Sequence, residues 1–404
     1  MKIPMQPQSW LSGLCRLAAS AALALGVLLP SLIASPAAAQ TYTYSVVYSF
    51  AGAPNDGSYP TAGLVLDAQG NLYGTTSAGG TFNYGTVFKL AAAGSETVLY
   101  NFAGSPDGEI PNASLVMDVQ GNLYGTTESG GVSSLGTVFK VSPTGNETVL
   151  YRFAKVAKNG ANPNGVVRDA QGNLYGTTHR GGDGSPSAGT VFKVDTAGDE
   201  TVLHSFGKND GSGLYPHSNL VFDSQGNLYG TTAYEVGGSP IDPGGTIFRI
   251  DETGNFASLY TFTSVGYPLA GVVLDAQGNL YGTTYGAASG HGTVYKLDTD
   301  GNLTVLYGFT GKKGDGNHPD GGVVMDGQGN LYGTTYKGGT ANYGTVYEVD
   351  TSGKETVLHS FTGVNGDGAY PYGDLVFDTA GDLYGIASRG GAHNQGTVFK
   401  LTHQ

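Results

Sequence analysis

Apolar residues in this chain come in short runs separated by glycine-rich turns, and the runs return in register. Taking the first complete unit, residues 63–67 (Gly-Leu-Val-Leu-Asp), 71–76 (Asn-Leu-Tyr-Gly-Thr-Thr), 85–90 (Gly-Thr-Val-Phe-Lys-Leu) and 96–102 (Glu-Thr-Val-Leu-Tyr-Asn-Phe) read as four strands. The turns between them carry Asp, Gln, Asn and Gly, residues that tolerate tight backbone bends. No window after the leader sustains a helical period, and glycine comes too often for a helix to persist.

The heptapeptide Gly-Asn-Leu-Tyr-Gly-Thr-Thr opens at Gly70, and it or a near copy opens again at Gly121, Gly172, Gly226, Gly278, Gly329 and Gly381. Successive starts differ by 51, 51, 54, 52, 51 and 52 residues. One such unit cannot bury its own apolar face, so neighbours must stack on it. Residues 45–50 (Ser-Val-Val-Tyr-Ser-Phe) match the fourth strand, whereas the last unit stops after its third strand at Leu401. One end supplies what the other lacks. The pattern predicts an all-β, seven-bladed β-propeller with four antiparallel strands per blade, a to d, closed by the N-terminal strand d pairing with C-terminal strands a–c.

These motifs, with the Gly-Gly that follows the heptapeptide and Gly-Thr-Val-Phe-Lys, resemble the GloVer-type tandem-repeat proteins of exported bacterial origin. The resemblance spans practically the whole chain after the leader. The segment Leu220-Val221-Phe222-Asp223-Ser224-Gln225-Gly226-Asn227-Leu228-Tyr229 is similar, more loosely, to the strand-turn-strand core of NHL-type propellers. The resemblance implies an extracytoplasmic location and carries no activity with it.

Composition changes this picture in three ways. Lys2 and Arg16, the apolar run from Leu17 to Ile33 and Ala37-Ala38-Ala39 read as a secretory signal peptide over residues 1–39, with cleavage near Ala39 and the propeller from 40 to 404. The expected location is secreted or periplasmic. Cys15 and Trp10, the only cysteine and tryptophan, fall in that leader, which excludes disulfides and thiolate metal sites from the remainder. Removing Lys2 and Arg16 takes the formal net charge from −13 to −15, an acidic balance that argues against nucleic acid and anionic lipid. No second apolar run suggests a membrane span, and a monomer is expected.

Spacing separates scaffold from candidate site. The interval from strand a Asp to strand b Tyr is always six residues, and from the strand c aromatic to the Tyr100 position always twelve. The b-to-c interval varies from 14 to 19 residues and the d-to-a interval from 13 to 17. Both variable loops emerge on one face, which is therefore the expected binding face. Tyr73 and Asp67, with their counterparts, belong to the scaffold, and Lys89 is expected at a solvent-facing outer edge. His204 and His359, at the Tyr100 position, read as packing variants.

The d-to-a loops carry Asp-Gly-x-x-Pro, as at Asp56 to Pro60, which reads as a turn; calcium is the weaker alternative, since single carboxylates around a ring do not supply six to eight ligands. No other cofactor is expected. The residues before each proline, Tyr59, Ile110, Asn162, Tyr215, Tyr267, His318 and Tyr370, are expected at the channel mouth, with His217 and Tyr372 just past theirs. Tyrosines there suit stacking on a sugar, or packing under neighbouring loops. The b-to-c loops add His179, Arg180, Tyr285 and Tyr336, alongside Ser77, Glu128, Ala233 and Ser388 at the same position.

The leading reading is a non-catalytic binding module for a glycan or a cell-surface protein. A polysaccharide lyase would need a His or Tyr base with a cation to neutralise a uronate, roles open to His179, Arg180, His217, Tyr215 and His318. A glycoside hydrolase would need paired carboxylates, and Glu128, Asp183 and Asp242 are scattered. A structural surface or matrix protein is the third alternative.

Overall fold

The computed structural model describes residues 41–154, 159–183, 188–207, 211–234, 244–263, 266–286 and 290–404. The expected leader and Asp242 lie outside the described residues. Seven antiparallel sheets form seven blades of a propeller. Blade 1 runs from strand a, Val65–Leu66, through b, Leu72–Thr76, and c, Thr86–Leu90, to d, Glu96–Asn101. In blade 7, strands Gly368–Phe377, Leu383–Gly390 and Thr397–His403 are joined by Tyr42–Ser49 as strand d. The register runs from Tyr42 opposite His403 to Ser49 opposite Thr397, so the chain's two ends close the ring.

Strand a is shorter than expected in blade 1. The Gly63 amide donates to Ser114 Oγ in the next blade (3.0 Å), which takes this end of the strand out of its own ladder. In blade 4 the innermost strand is split into Leu214–Pro216 and Val221–Phe222.

Seven apolar clusters sit between neighbouring blades, and each contains the same contact. A phenylalanine just past strand d stands edge-on to the strand c aromatic of the following blade: Phe50 on Phe88, Phe102 on Phe139, Phe153 on Phe192, Phe206 on Phe248, Phe262 on Tyr295, Phe309 on Tyr347 and Phe361 on Phe399. Centroids are 5.0–5.3 Å apart at 63–75°. Such pairs add roughly 0.5–1.5 kcal/mol each beyond the area they bury.

The heptapeptide builds the blade around that contact. Gly70 takes the left-handed turn (φ 82°). Asn71 and the Tyr73 hydroxyl both donate to the Asp67 carboxylate, at 2.7 and 3.0 Å, which explains the invariant six-residue spacing. Leu72 enters the core. A Cβ on Gly74 would lie 2.7 Å from the Phe88 ring, and the six equivalent glycines face their aromatics at 2.5–2.8 Å. Thr75 donates to the Ala113 carbonyl of blade 2, and Thr76 bonds Thr86 on strand c at 2.8 Å. Lys89 is half-buried, and its ammonium stands 5.5 Å from the Tyr73 centroid, with the same arrangement at Lys140, Lys193, Lys296 and Lys400. His204 stacks on Phe256 and His359 on Tyr44, so both are packing variants, as their positions imply.

Two outcomes are expected. Deleting residues 41–50 removes strand d of blade 7 together with Phe50, and should lower the melting temperature severely or prevent folding, as read by circular dichroism. Gly74→Ala should cost about 1–3 kcal/mol in denaturant unfolding, because the new methyl meets the Phe88 ring at 2.7 Å and Leu64 Cδ2 at 3.0 Å and must displace both. Gly308→Ala, which meets nothing within 4 Å, should change little.

Candidate functional site

The two variable loops of each blade share one face and are paired there. Gly57–Ser58 bonds to Ala78–Gly79, Gly108–Glu109 to Ser129–Gly130, and Gly316–Asn317 to Lys337–Gly338. In blades 3, 4 and 7 strands a and b themselves extend into this ribbon. The Asp56 carboxylate accepts from the Tyr48 hydroxyl and the Ala51 amide through Oδ2 and from the Gly57 amide through Oδ1. Asp107 repeats the arrangement with Tyr100, Ala103 and Gly108. These aspartates staple the loop to the preceding strand d.

Each loop proline seats on the preceding blade. A Cβ on Gly85 would lie 2.6 Å from Pro111, and the six equivalent glycines face prolines at 2.4–2.6 Å. The residue before the proline is left-handed in six blades: Tyr59, Ile110, Asn162, Tyr215, His318 and Tyr370, with φ of 55–60°. A non-glycine residue there costs about 1–3 kcal/mol. Each of the six amides offsets part of that by donating to a carbonyl of the preceding blade's b-to-c loop at 2.7–3.0 Å.

The consequence is a one-residue displacement of the site. A cavity of about 360 Å³ occupies the hub, and the residues just after each proline line it: Thr61, Asn112, Asn164, His217, Leu269, Asp320 and Tyr372. Of the residues before the prolines only Ile110 reaches it. Tyr59 packs under the Arg389 guanidinium at 4.0 Å, Tyr215, His318 and Tyr370 pack against the rings of His179, Tyr285 and Tyr336 in b-to-c loops, and Asn162 donates to the Glu128 carbonyl. Tyr267 accepts the Tyr285 amide through its carbonyl at 2.7 Å.

The hub has two unlike sides. On blades 2–4, a side pocket of about 230 Å³ is lined by Asn112, Glu128, Asn162, Pro163, Asn164, His179, Arg180 and His217. Asn112 donates to Glu128 at 2.8 Å, and His179 lies 5.2 Å from Tyr215 and 5.5 Å from His217, centroid to centroid. Burial, with the His217 and Arg180 charges, pushes the His179 imidazole down to about 4. Its Nδ1 is buried without a hydrogen-bond partner among the described residues. Burial also holds His217 below the usual imidazole range.

On blades 5–7 the groups are tyrosines and acids. Tyr285 stacks on His318 at 4.5 Å, Tyr336 on Tyr370 at 5.0 Å, and Tyr372 stands perpendicular to Tyr336 at 6.2 Å. Burial pushes Asp320 up to about 6, against a hydrogen bond from the Tyr372 hydroxyl. Asp374 is raised by burial too, although its Oδ1 accepts the Gly322 amide at 2.7 Å. The hub lining contains these two acids and neither lysine nor arginine.

Sequence reasoning placed His179, Arg180 and His217 on one face, and they come together with Tyr215 beside them. It placed Tyr285, Tyr336, His318 and Tyr370 there as well, and they form the opposite side. It did not single out Asp320, Asp374, Asn112 or Asn164. For Asn112, Asn164 and Asp320 the signal was divergence: the position after the proline carries six residue types in seven blades, while the strand a Asp and strand b Tyr never change.

Fold and hub together define a seven-bladed propeller with an asymmetric central cavity. The profile of the Gloeobacter/Verrucomicrobia repeat matches residues 35–241, 149–285 and 237–404, and the chain belongs to that family. No curated protein sequence matches it. Among solved structures, the extracellular domain of a hybrid two-component system from B. thetaiotaomicron aligns at TM-score 0.56 and 15% identity over 89% of this chain. The extracellular domain of a one-component system from the same organism aligns at TM-score 0.57 and 10% identity over 88%. PorZ, a surface component of the type-IX secretion system of Porphyromonas gingivalis, aligns at TM-score 0.51 and 16% identity over 86%. This chain spans 41%, 39% and 47% of those chains respectively, and the likeness is one of fold. No helix among the described residues is long and apolar enough to cross a membrane.

Asp320 is expected to cost stability where it is ionised. Its folded-state pKa lies above the unfolded value, so its favourable contribution is present below the ordinary aspartate pKa and is lost as pH rises through about 6. Asp320→Asn should therefore raise the melting temperature at pH 8 and leave it nearly unchanged at pH 4, by differential scanning calorimetry.

Proposed function

We propose that the protein is a non-catalytic, extracytoplasmic binding module that takes a glycan, free or on a cell-surface partner, into the hub. The observation that carries this is the hub cavity: about 360 Å³, lined from all seven blades by residues that differ from blade to blade. That volume is within the range of small-ligand pockets, and its amides, hydroxyls and imidazole match the alternating donors and acceptors of a sugar ring. Tyrosine rings beside it offer the apolar faces on which a pyranose stacks. An extracytoplasmic role agrees with the leader read from the sequence. The solved propellers of similar fold include extracellular domains.

A second reading has one observation in its favour. His179, with a free buried Nδ1, sits beside Arg180 in the side pocket, the pairing a uronate lyase requires. An imidazole pushed down to about 4 is a poor base at neutral pH, which ranks this reading second.

Both are tested by screening the full exported chain on a glycan array and following absorbance of unsaturated uronates with acidic polysaccharides. The expected result is retention on a subset of glycans, no absorbance change, and affinity reduced about tenfold in His217→Ala at unchanged melting temperature. Absence of retention removes the binding reading; a rise in absorbance lost in His179→Ala replaces it with the lyase.

A further inference from the structure

We propose that the hub recognises a protonated amine, held between the rings of Tyr285, Tyr336 and Tyr372 and the carboxylate of Asp320, and that the ligand is a glycan bearing unacetylated amino sugars. This rests on the glycan reading above and narrows it to one substrate class.

Charge is the first argument. The hub lining holds two carboxyl groups and no lysine or arginine, so the cavity itself lacks a cation to balance Asp320. A carboxylate in so enclosed a place is costly unless a positive group joins it, and a ligand ammonium is such a group. Lys337, next to Tyr336 in sequence, exerts its charge on His318. The net charge of the whole chain, negative with or without the leader, draws cationic ligands toward the protein from a distance.

Geometry is the second. The Tyr336 and Tyr372 rings stand at 89° with centroids 6.2 Å apart, two walls of a corner. Tyr370 backs Tyr336 at 5.0 Å, which fixes that wall before any ligand arrives. Tyr372 and Asp320 line the same hub wall, and the Tyr285 phenol is close enough to feel both Asp320 and Tyr336. Burial and the Asp320 charge hold the Tyr285 and Tyr372 phenols above their ordinary range, so both stay neutral and keep electron-rich faces. Ammonium groups are attracted to such faces, the more strongly as they are desolvated. A neutral hydroxyl can donate a hydrogen bond to the carboxylate but gains neither the ring attraction nor the pairing of opposite charges.

The remaining lining decides between amine sources. Across the hub lie neutral amides and hydroxyls, which a sugar's hydroxyl groups can use and a lysine side chain would leave unpaired.

The test is calorimetric titration of the full chain at pH 6.5 and physiological salt, where amino-sugar amines carry a substantial share of their protons and Asp320, pushed up to about 6, is still mostly ionised, with a glucosamine tetramer, its fully N-acetylated counterpart, and a lysine tetramer. Acetylation removes the charge and leaves the sugar backbone, so the ligand itself supplies the control. The expected result is at least about tenfold tighter binding of the free amine. Asp320→Asn, which changes net charge by one unit, and Tyr336→Leu should each bring the glucosamine tetramer to the level of the acetylated one, with melting curves confirming that both variants fold. Equal affinity for the two tetramers, or a preference that survives both substitutions, overturns the proposal. Lysine tetramer binding as tightly, with the same dependence on Asp320, overturns the sugar assignment. Retention of other glycans on the array without any amine preference removes this inference and leaves the glycan reading standing; no retention of any glycan removes both.

Discussion

Each blade meets the next through an aromatic ring set edge-on against another, and the rest of the molecule is arranged to allow that contact. The Phe88 ring can reach Phe50 because Gly74, directly beneath it on strand b, has no side chain. The Phe50 amide is in turn held by the Gly396 carbonyl, so backbone and ring are fixed at the same joint. Seven copies of this joint define the angle between blades, and the angle defines how many blades a ring needs. Thr75 and Pro111 work at the same boundary from the inner side.

A scaffold repeated this strictly leaves little freedom, and the freedom it leaves is concentrated at the hub. Asp67, Asn71, Tyr73, Gly74 and Thr76 each have a partner that any other residue would lose. The residue after the proline has no such obligation, and there the blades differ. The result is a cavity flanked on one side by a pocket that holds a histidine and an arginine and on the other by tyrosines and an aspartate, built on a frame that is nearly sevenfold. Burying Asp320 and Asp374 against the hub works against stability at neutral pH, and such a cost is a common mark of residues kept for what they bind.

The ring was legible in the sequence because its causes are local and repeated. The fixed distance from Asp67 to Tyr73 is a hydrogen bond, and the orphan strand of residues 45–50 is the missing strand d of blade 7. The candidate site was legible only to within one residue. Pattern reading placed Tyr59 and Tyr370 at the channel mouth, but in these and four other blades a left-handed backbone before the proline puts the residue after it there instead. A run of letters does not announce that conformation, since residues before proline ordinarily prefer extended backbone. Asp320 and Asp374 were missed for another reason: each is the one acid that its blade gives to the hub lining, and nothing in a single repeat marks which of its acids points there. The contact of Lys89 with Tyr73 was not legible because that tyrosine lies across a strand pair, not along the chain.

The pairing of Tyr42–Ser49 with Thr397–His403 also sets an order of events. The earliest described strand of the chain finds its partner in the last one, so on a growing polypeptide it waits, unpaired, through the synthesis of every blade. Residues 61, 112 and 164 are made long before residues 320 and 372, yet no cavity exists between them until the final strand arrives. A truncated chain therefore has no partial site: the hub appears all at once, at the same moment as the ring.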